Sequence, residues 1–273
     1  MAAYFYQEKV MSKRSFKNIT RLIDMAKDEM PVQEAFLGDL KRSIEKEEEA
    51  TRRKPSQYYK PSSMNCIRNM YYQRVGKEPD TGTSSYIGIG ICNAGTDIHV
   101  RTQTAVAHMK KYGFDCHYID VAKFIKKRGL TDIEIIEKKG METKLFNKRL
   151  NLSFLCDGIV KYQGKYYILE IKSESSFKFQ VRTAPAEEHH RQVTSYSISL
   201  GLDDVLFVYI NRDNLDMKSY LFKPTSDMKN DLVGLIDNCE GYVSRMITPP
   251  KPEDISRKTC EYCNYRSLCR KEK

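Results

Sequence analysis

Nothing in the 273 residues approaches the run of about 18 apolar side chains that a membrane-spanning helix requires. The opening residues Met1 to Lys9 also lack the apolar core of a secretory signal, so the protein is expected in the cytoplasm, without a membrane partner. No G-x-x-x-x-G-K-[ST] run occurs, which excludes a P-loop of the chain's own and with it ATP-driven unwinding of duplexes. No internal repeat is present, which excludes solenoids and arrays. With 40% apolar and 30% charged residues and a mean hydropathy of -0.59, the composition is neither disordered nor fibrous. The length suits one large domain or two small ones.

What is present in excess is positive charge. Lys and Arg number 46 against 36 Asp and Glu, a formal charge of +10, which suits a polyanionic partner. The excess is concentrated in residues 101 to 150, including Lys126-Lys127-Arg128, whereas the N-terminal stretch is closer to balance. Eight cysteines in a cytoplasmic chain point to free thiols or metal ligands before disulfides.

Residues 7 to 54 are rich in Lys, Glu, Met and Leu, and Val32 to Arg53 reads as amphipathic helix ending in the charged run Glu45 to Glu49. Ser62-Ser63 is placed to cap a helix through Cys66, Met70 and Tyr71. The Gly-, Ser- and Thr-rich stretch Gly76 to Gly90 reads as a loop, and a helix is expected from Gly95, with Thr96 as N-cap and Ile98, Ala105 and Met109 on its buried face. Periodicity then changes. Leu152 to Tyr162 and Tyr166 to Lys172 flank Gln163-Gly164-Lys165 as a β-hairpin. A basic loop from Ser173 to Pro185, a helix over Ala186 to Leu200, strands at Val205 to Ile210 and Ser219 to Phe222, and a helix over Asp227 to Met246 follow. Strands in the middle with helices before, between and after them predict an α/β fold.

Two charges stand inside apolar strands. Glu170 and Lys172 share one face of a strand whose Leu169 and Ile171 face the other, and Asp157 sits among Leu155, Ile159 and Val160. Hairpin pairing would bring Asp157 beside Glu170. Convergent carboxylates bind hard cations such as Mg2+ or Mn2+, and a neighbouring lysine can assist hydrolysis. The same pattern also describes an ordinary ion pair at a sheet edge, and by itself it leaves both readings open.

Cys156-Asp157-Gly158-Ile159 followed by Leu169-Glu170-Ile171-Lys172 resembles the PD-(D/E)XK nuclease motif in its RecB-like form. Gln192-Val193-Thr194-Ser195-Tyr196 matches that group's Q-x-x-x-Y helix, and Gly95-Thr96-Asp97-Ile98-His99 its upstream histidine. The resemblance implies a restriction-endonuclease-like α/β core with Asp157, Glu170, His99 and the Ile171 carbonyl as metal ligands. It makes Lys172 the residue that positions or activates water, with Gln192 and Tyr196 supporting the site or touching DNA. Lys178, Arg182 and Arg191 are candidates for tracking the DNA backbone. His189-His190 is left outside the metal site, as histidines on a helix without a family role.

Cys260, Cys263 and Cys269 form C-x2-C-x5-C, one ligand short of a four-thiolate site, and spacing alone does not decide between zinc and iron-sulfur. RecB-like nucleases that carry a 4Fe-4S cluster take one cysteine before the core and three after it. That layout makes Cys66 the fourth ligand and the cluster a staple. Of the remaining cysteines, Cys156 is expected to pack behind its strand, and Cys92, Cys116 and Cys239 read as buried thiols.

The resemblance thus divides the chain into a helical N-terminal extension, 1–60, and a nuclease core, 61–273, closed by a C-terminal iron-sulfur cysteine segment. It implies a Mg2+- or Mn2+-dependent deoxyribonuclease, an exonuclease on single-stranded DNA ends in phage or bacterial recombination, replication or repair. For a phage protein the compartment would be the host cytoplasm, and a helicase or recombination protein would be the partner that unwinds. A CRISPR adaptation nuclease and a non-catalytic, zinc-containing nucleic-acid-binding protein are the alternatives.

Overall fold

A computed structural model describes residues 31–51, 55–80 and 85–272. The helices expected before Pro31 and part of the 76–90 loop lie outside the described residues. The chain divides into two compact units, Met1–Arg52 with Ser84–Ile89, and Arg53–Thr83 with Gly90–Lys273.

In the first unit, α1 (Val32–Ala50) carries Glu45, whose carboxylate accepts the Tyr86 N–H at 3.0 Å, while Lys41 lies 4.9 Å from the Tyr86 ring centre. The second unit holds a mixed α/β fold. Its larger sheet has the order β1 (Cys116–Ile119), β5 (Gly158–Tyr162), β6 (Lys165–Glu174), β7 (Val205–Asn211) and β8 (Met217–Phe222). Only β6 and β7 run parallel, because helices Ser176–Val181 and Glu187–Leu200 cross between them. A smaller antiparallel sheet joins β2 (Ile133–Lys139), β3 (Glu142–Asn147) and β4 (Leu152–Cys156).

Burial explains β6. Ile168, Leu169, Glu170 and Ile171 are all at most 1% exposed, because the strand is central and covered on both faces. Leu169 and Ile171 pack with Val160, Cys116 and Ile210 under Ile98, Val106 and Met109. Ile168 joins the larger core with Val193, Tyr196 and Phe207 on the other face. Glu170 and Lys172 follow Ile168 at a spacing of two, so they face the helix Glu187–Leu200.

Several expectations change. The single strand 152–162 is two, since the chain leaves the small sheet at Cys156 and enters the large one at Gly158, with Asp157 between. The hairpin turn is the two residues Gln163 and Gly164, both at positive φ, as a type I′ turn requires. The helix expected from Gly95 already starts at Tyr86 and runs to His108, so Gly88 and Gly90 are helical and Thr96 is not a cap; its hydroxyl donates to the Cys92 carbonyl. The basic stretch after Ser173 is also more ordered than a loop, holding the end of β6 and a short helix. Cys66 itself is the N-cap residue of the helix Ile67–Arg74, with no side-chain cap bond.

Candidate active site and cysteine pocket

The site is built where β5 stops covering β6. Gly158 pairs with Leu169, so beyond Leu169 the edge of β6 facing β5 is open. Asp157 closes it: its Oδ2 accepts the Ile171 N–H at 2.7 Å. The N–H and C=O of one strand residue point to the same side, so the Ile171 carbonyl faces the same edge as Asp157. The Asp157 backbone is held in turn by Gln103, which donates to its carbonyl at 2.8 Å, and by the Tyr118 hydroxyl at 2.6 Å. Gly158 permits this arrangement, because a Cβ there would lie 2.6 Å from the Tyr118 oxygen and 2.7 Å from its ring.

On the opposite face of β6, Lys172 Nζ lies 2.6 Å from Glu170 Oε1 and donates to Gln192 Oε1 at 3.0 Å. Gln192 Nε2 donates to Glu170 Oε1 at 2.8 Å and to the Tyr196 oxygen at 2.7 Å. An ammonium has only donors, so the amide oxygen of Gln192 must face Lys172 and its nitrogen the carboxylate. Gln192 and Tyr196 sit one turn apart on one helix, which is why a single face reaches both partners. Burial of Glu170 pushes its carboxyl up to about 7, against the pull of Lys172 and with the push of Asp157. Burial first, and then the charge of Glu170, drive the Tyr196 phenol well above its ordinary range.

His99 reaches the site from the helix Tyr86–His108, its Nδ1 3.4 Å from Asp157 Oδ1. One turn earlier, a Cβ on Gly95 would come within 3.3 Å of the Ser173 hydroxyl, so glycine lets this helix lie close against β6. Burial lowers the His99 pKa, but the bond to Asp157 and its charge outweigh that and leave it raised. A residue the sequence did not reveal also converges here: ligand atoms of His99, Glu142 and Asp157 all lie within 4.8 Å of one another. Glu142 opens β3 one residue before Thr143, which pairs with Cys156, so it falls opposite Asp157. Nothing local in Gly140-Met141-Glu142 marks it; only the pairing of β3 with β4 does. One imidazole with carboxylates and a backbone carbonyl is a donor set that fits Mg2+ or Mn2+.

The three basic candidates differ. Arg182 gives both arms of its guanidinium to Glu174, each at 2.7 Å, and lies 4.5 Å from the Tyr209 ring centre, so its charge serves the fold. Arg191 is exposed but donates to the Met64 carbonyl at 2.8 Å. Lys178 remains exposed, with its pKa lowered by partial burial and by the nearby charge of Lys258. The neighbouring pair His189 and His190 both have aromatic partners: His189 Nδ1 is 2.9 Å from the Tyr209 oxygen, and His190 stacks on Phe222 at 4.4 Å.

Cys66, Cys260, Cys263 and Cys269 line one cavity of about 270 Å³ together with Arg68 and Tyr72. Arg68 donates to the Cys269 sulfur at 3.3 Å, and the Tyr265 N–H to the Cys263 sulfur at 3.4 Å. Burial pushes the Cys66 and Cys263 thiols up, and neighbouring thiols of the group push the same way. Cys116, Cys156 and Cys239 are buried as expected, but Cys92 is exposed on its helix.

Among the described residues no helix is long and apolar enough to cross a membrane. No protein-family model matches the chain. No curated protein matches it at a significant level. Among solved structures it is similar to SSO0001, at 15% identity and a TM-score of 0.47 over 86% of this chain and 96% of that one. It is similar to LHK-Exo in complex with dAMP, at 12% identity and a TM-score of 0.41 over 70% of this chain and 92% of that one. A second structure of that protein, described as an alkaline exonuclease from Laribacter hongkongensis, aligns at 11% identity and a TM-score of 0.39 over 70% and 90%.

Proposed function

We propose that the protein is a divalent-cation-dependent deoxyribonuclease that acts on single-stranded DNA ends, with a core over 61–273 and a helical extension over 1–60. The observation that carries this reading is two anchored groups at one stretch of β6: Asp157 holds the Ile171 N–H, and Glu170, Lys172, Gln192 and Tyr196 are joined to one another by short hydrogen bonds. A sheet-edge ion pair with no further task would not need a buried carboxylate, a backbone clamp and an amide relay together. His99, Asp157, Glu170 and the Ile171 carbonyl would hold Mg2+ or Mn2+. When bound, such an ion polarises the phosphodiester and offsets the charge that builds on its oxygens.

The chain's own groups do the rest. Lys172 is held by Glu170 and Gln192 with a third N–H left to orient an attacking water or a phosphate oxygen. Asp157 fixes the β6 edge through the Ile171 N–H. Net positive charge favours DNA through the phosphates, with Lys178 a better candidate contact than Arg182, whose guanidinium is already paired.

The cysteine pocket is read as the site of a 4Fe-4S cluster, with zinc as the alternative: Cys66 meets Cys260, Cys263 and Cys269 in one cavity, and N–H donors reach two of the sulfurs.

The test uses end-labelled DNA, single- and double-stranded, linear and circular, with Mg2+ or Mn2+. Linear single strands should be degraded and circles spared, and Glu170→Gln or Lys172→Ala should lower cleavage at least about a hundredfold while DNA binding persists. Wild-type rates in both variants would place the chemistry elsewhere. Cutting of circles would remove the requirement for an end.

A further inference from the structure

Glu142 lies outside every element of the nuclease motif, yet it converges with His99 and Asp157: the ligand atoms of these three fall within 4.8 Å of one another. Donors about 2.1 Å from one octahedral ion sit about 3.0 Å apart when adjacent and about 4.2 Å apart when opposite. The 4.8 Å spread exceeds the opposite pair by about 0.6 Å, so a small side-chain movement brings all three donors onto one ion. The three side chains come from three separate elements: the helix Tyr86–His108, the start of β3, and the link between β4 and β5.

The backbone joins two of them. The Tyr118 oxygen lies 2.6 Å from the Asp157 carbonyl and 3.2 Å from that of Met141, the residue before Glu142. One hydroxyl therefore ties the small sheet to the junction and sets the spacing of the two carboxylates. Asp157 and His99 have side chains only 11% and 22% exposed, so two carboxylates and an imidazole converge where water screens them weakly.

We propose that Glu142 is a direct ligand of the divalent cation, completing with His99 and Asp157 a mixed imidazole and carboxylate site that takes Mn2+ more tightly than Mg2+. This rests on the nuclease reading for the presence of a cation and adds a ligand that the motif does not contain. The preference follows from the imidazole, since nitrogen donors strengthen binding along the first-row series, whereas Mg2+ favours oxygen and retained water. The small sheet then acts as the arm that delivers this ligand.

The test is Mn2+ binding to the purified full chain without DNA, followed by electron paramagnetic resonance of free Mn2+ and by calorimetry. Glu142→Gln should weaken Mn2+ binding at least about tenfold, no less than loss of an outer partner of a ligand costs. The metal-free variant should melt no lower than wild type, because the change removes one of two neighbouring negative charges. Glu137→Gln, an exposed residue of the same hairpin, should bind as wild type does. Unchanged affinity in Glu142→Gln, or an equal loss in Glu137→Gln, overturns this assignment alone. A wild-type protein that binds no Mn2+ overturns it together with the nuclease reading, whereas one that binds Mn2+ through Glu142 but leaves DNA intact overturns only the latter.

Discussion

Acid should destabilise this protein through His189, and the size of the effect follows from its surroundings. The Tyr209 oxygen accepts the Ala186 N–H at 3.0 Å, which leaves the phenol hydrogen free to point at His189 Nδ1, 2.9 Å away. That bond needs an unprotonated Nδ1. Burial first, and then the positive charge of Lys172, pull the imidazole down from 6.5 to about 3. A histidine with a depressed folded pKa binds fewer protons folded than unfolded, so its contribution is complete above the unfolded value and is lost as pH falls toward the folded one. At 1.36 kcal/mol per unit, the loss is about 2 kcal/mol by pH 5 and about 5 kcal/mol once both states are protonated. His189→Asn keeps an acceptor near Nδ1 without a charge. Urea unfolding of both proteins at pH 7.5 and pH 5 isolates the effect, because all other titrating groups are shared. The wild type should lose about 2 kcal/mol more than the variant over that interval. Parallel losses in the two proteins would refute the reasoning.

Gly158→Ala forces a Cβ into the Tyr118 ring and should cost about 1–3 kcal/mol, with Tyr118→Ala relieving part of it in a double-mutant cycle; simple additivity by thermal melting would show no clash. Arg182→Met leaves the Glu174 carboxylate buried without its partner and should cost about 3–5 kcal/mol in urea unfolding, far more than removal of an exposed pair. Anaerobically purified protein should be brown with absorbance near ~400 nm. Cys66→Ser should lose iron and stability together, while Cys92→Ser keeps both; colourless protein with stoichiometric zinc would defeat the cluster assignment, and full iron retention in Cys66→Ser would show another fourth ligand. DNA affinity should fall steeply as salt rises, and a flat response in filter binding would argue against phosphate contacts.

What the chain determined locally is its strand and helix alternation around the site. The hairpin around Gln163-Gly164 was legible because a two-residue turn with glycine and two alternating runs need no distant partner. That Glu170 shares a face with Lys172, and Gln192 with Tyr196, follows from spacing within one strand or one helix, whereas their choice as candidate site residues came from the family resemblance. Tertiary structure decided the rest. Gly88 and Gly90 read as loop because glycine costs a helix about 1 kcal/mol, yet they lie in the helix that brings Gly95 against Ser173 and His99 to Asp157. Asp157 ends one strand and precedes another because the chain changes sheets there, an event with no local signal. Arg182 looked like a free cation until Glu174, eight residues away, was seen to hold both arms of its guanidinium. Glu142 entered the site only through the pairing of β3 with β4, because a carboxylate's partners across a sheet are fixed by register and not by its neighbours in the chain.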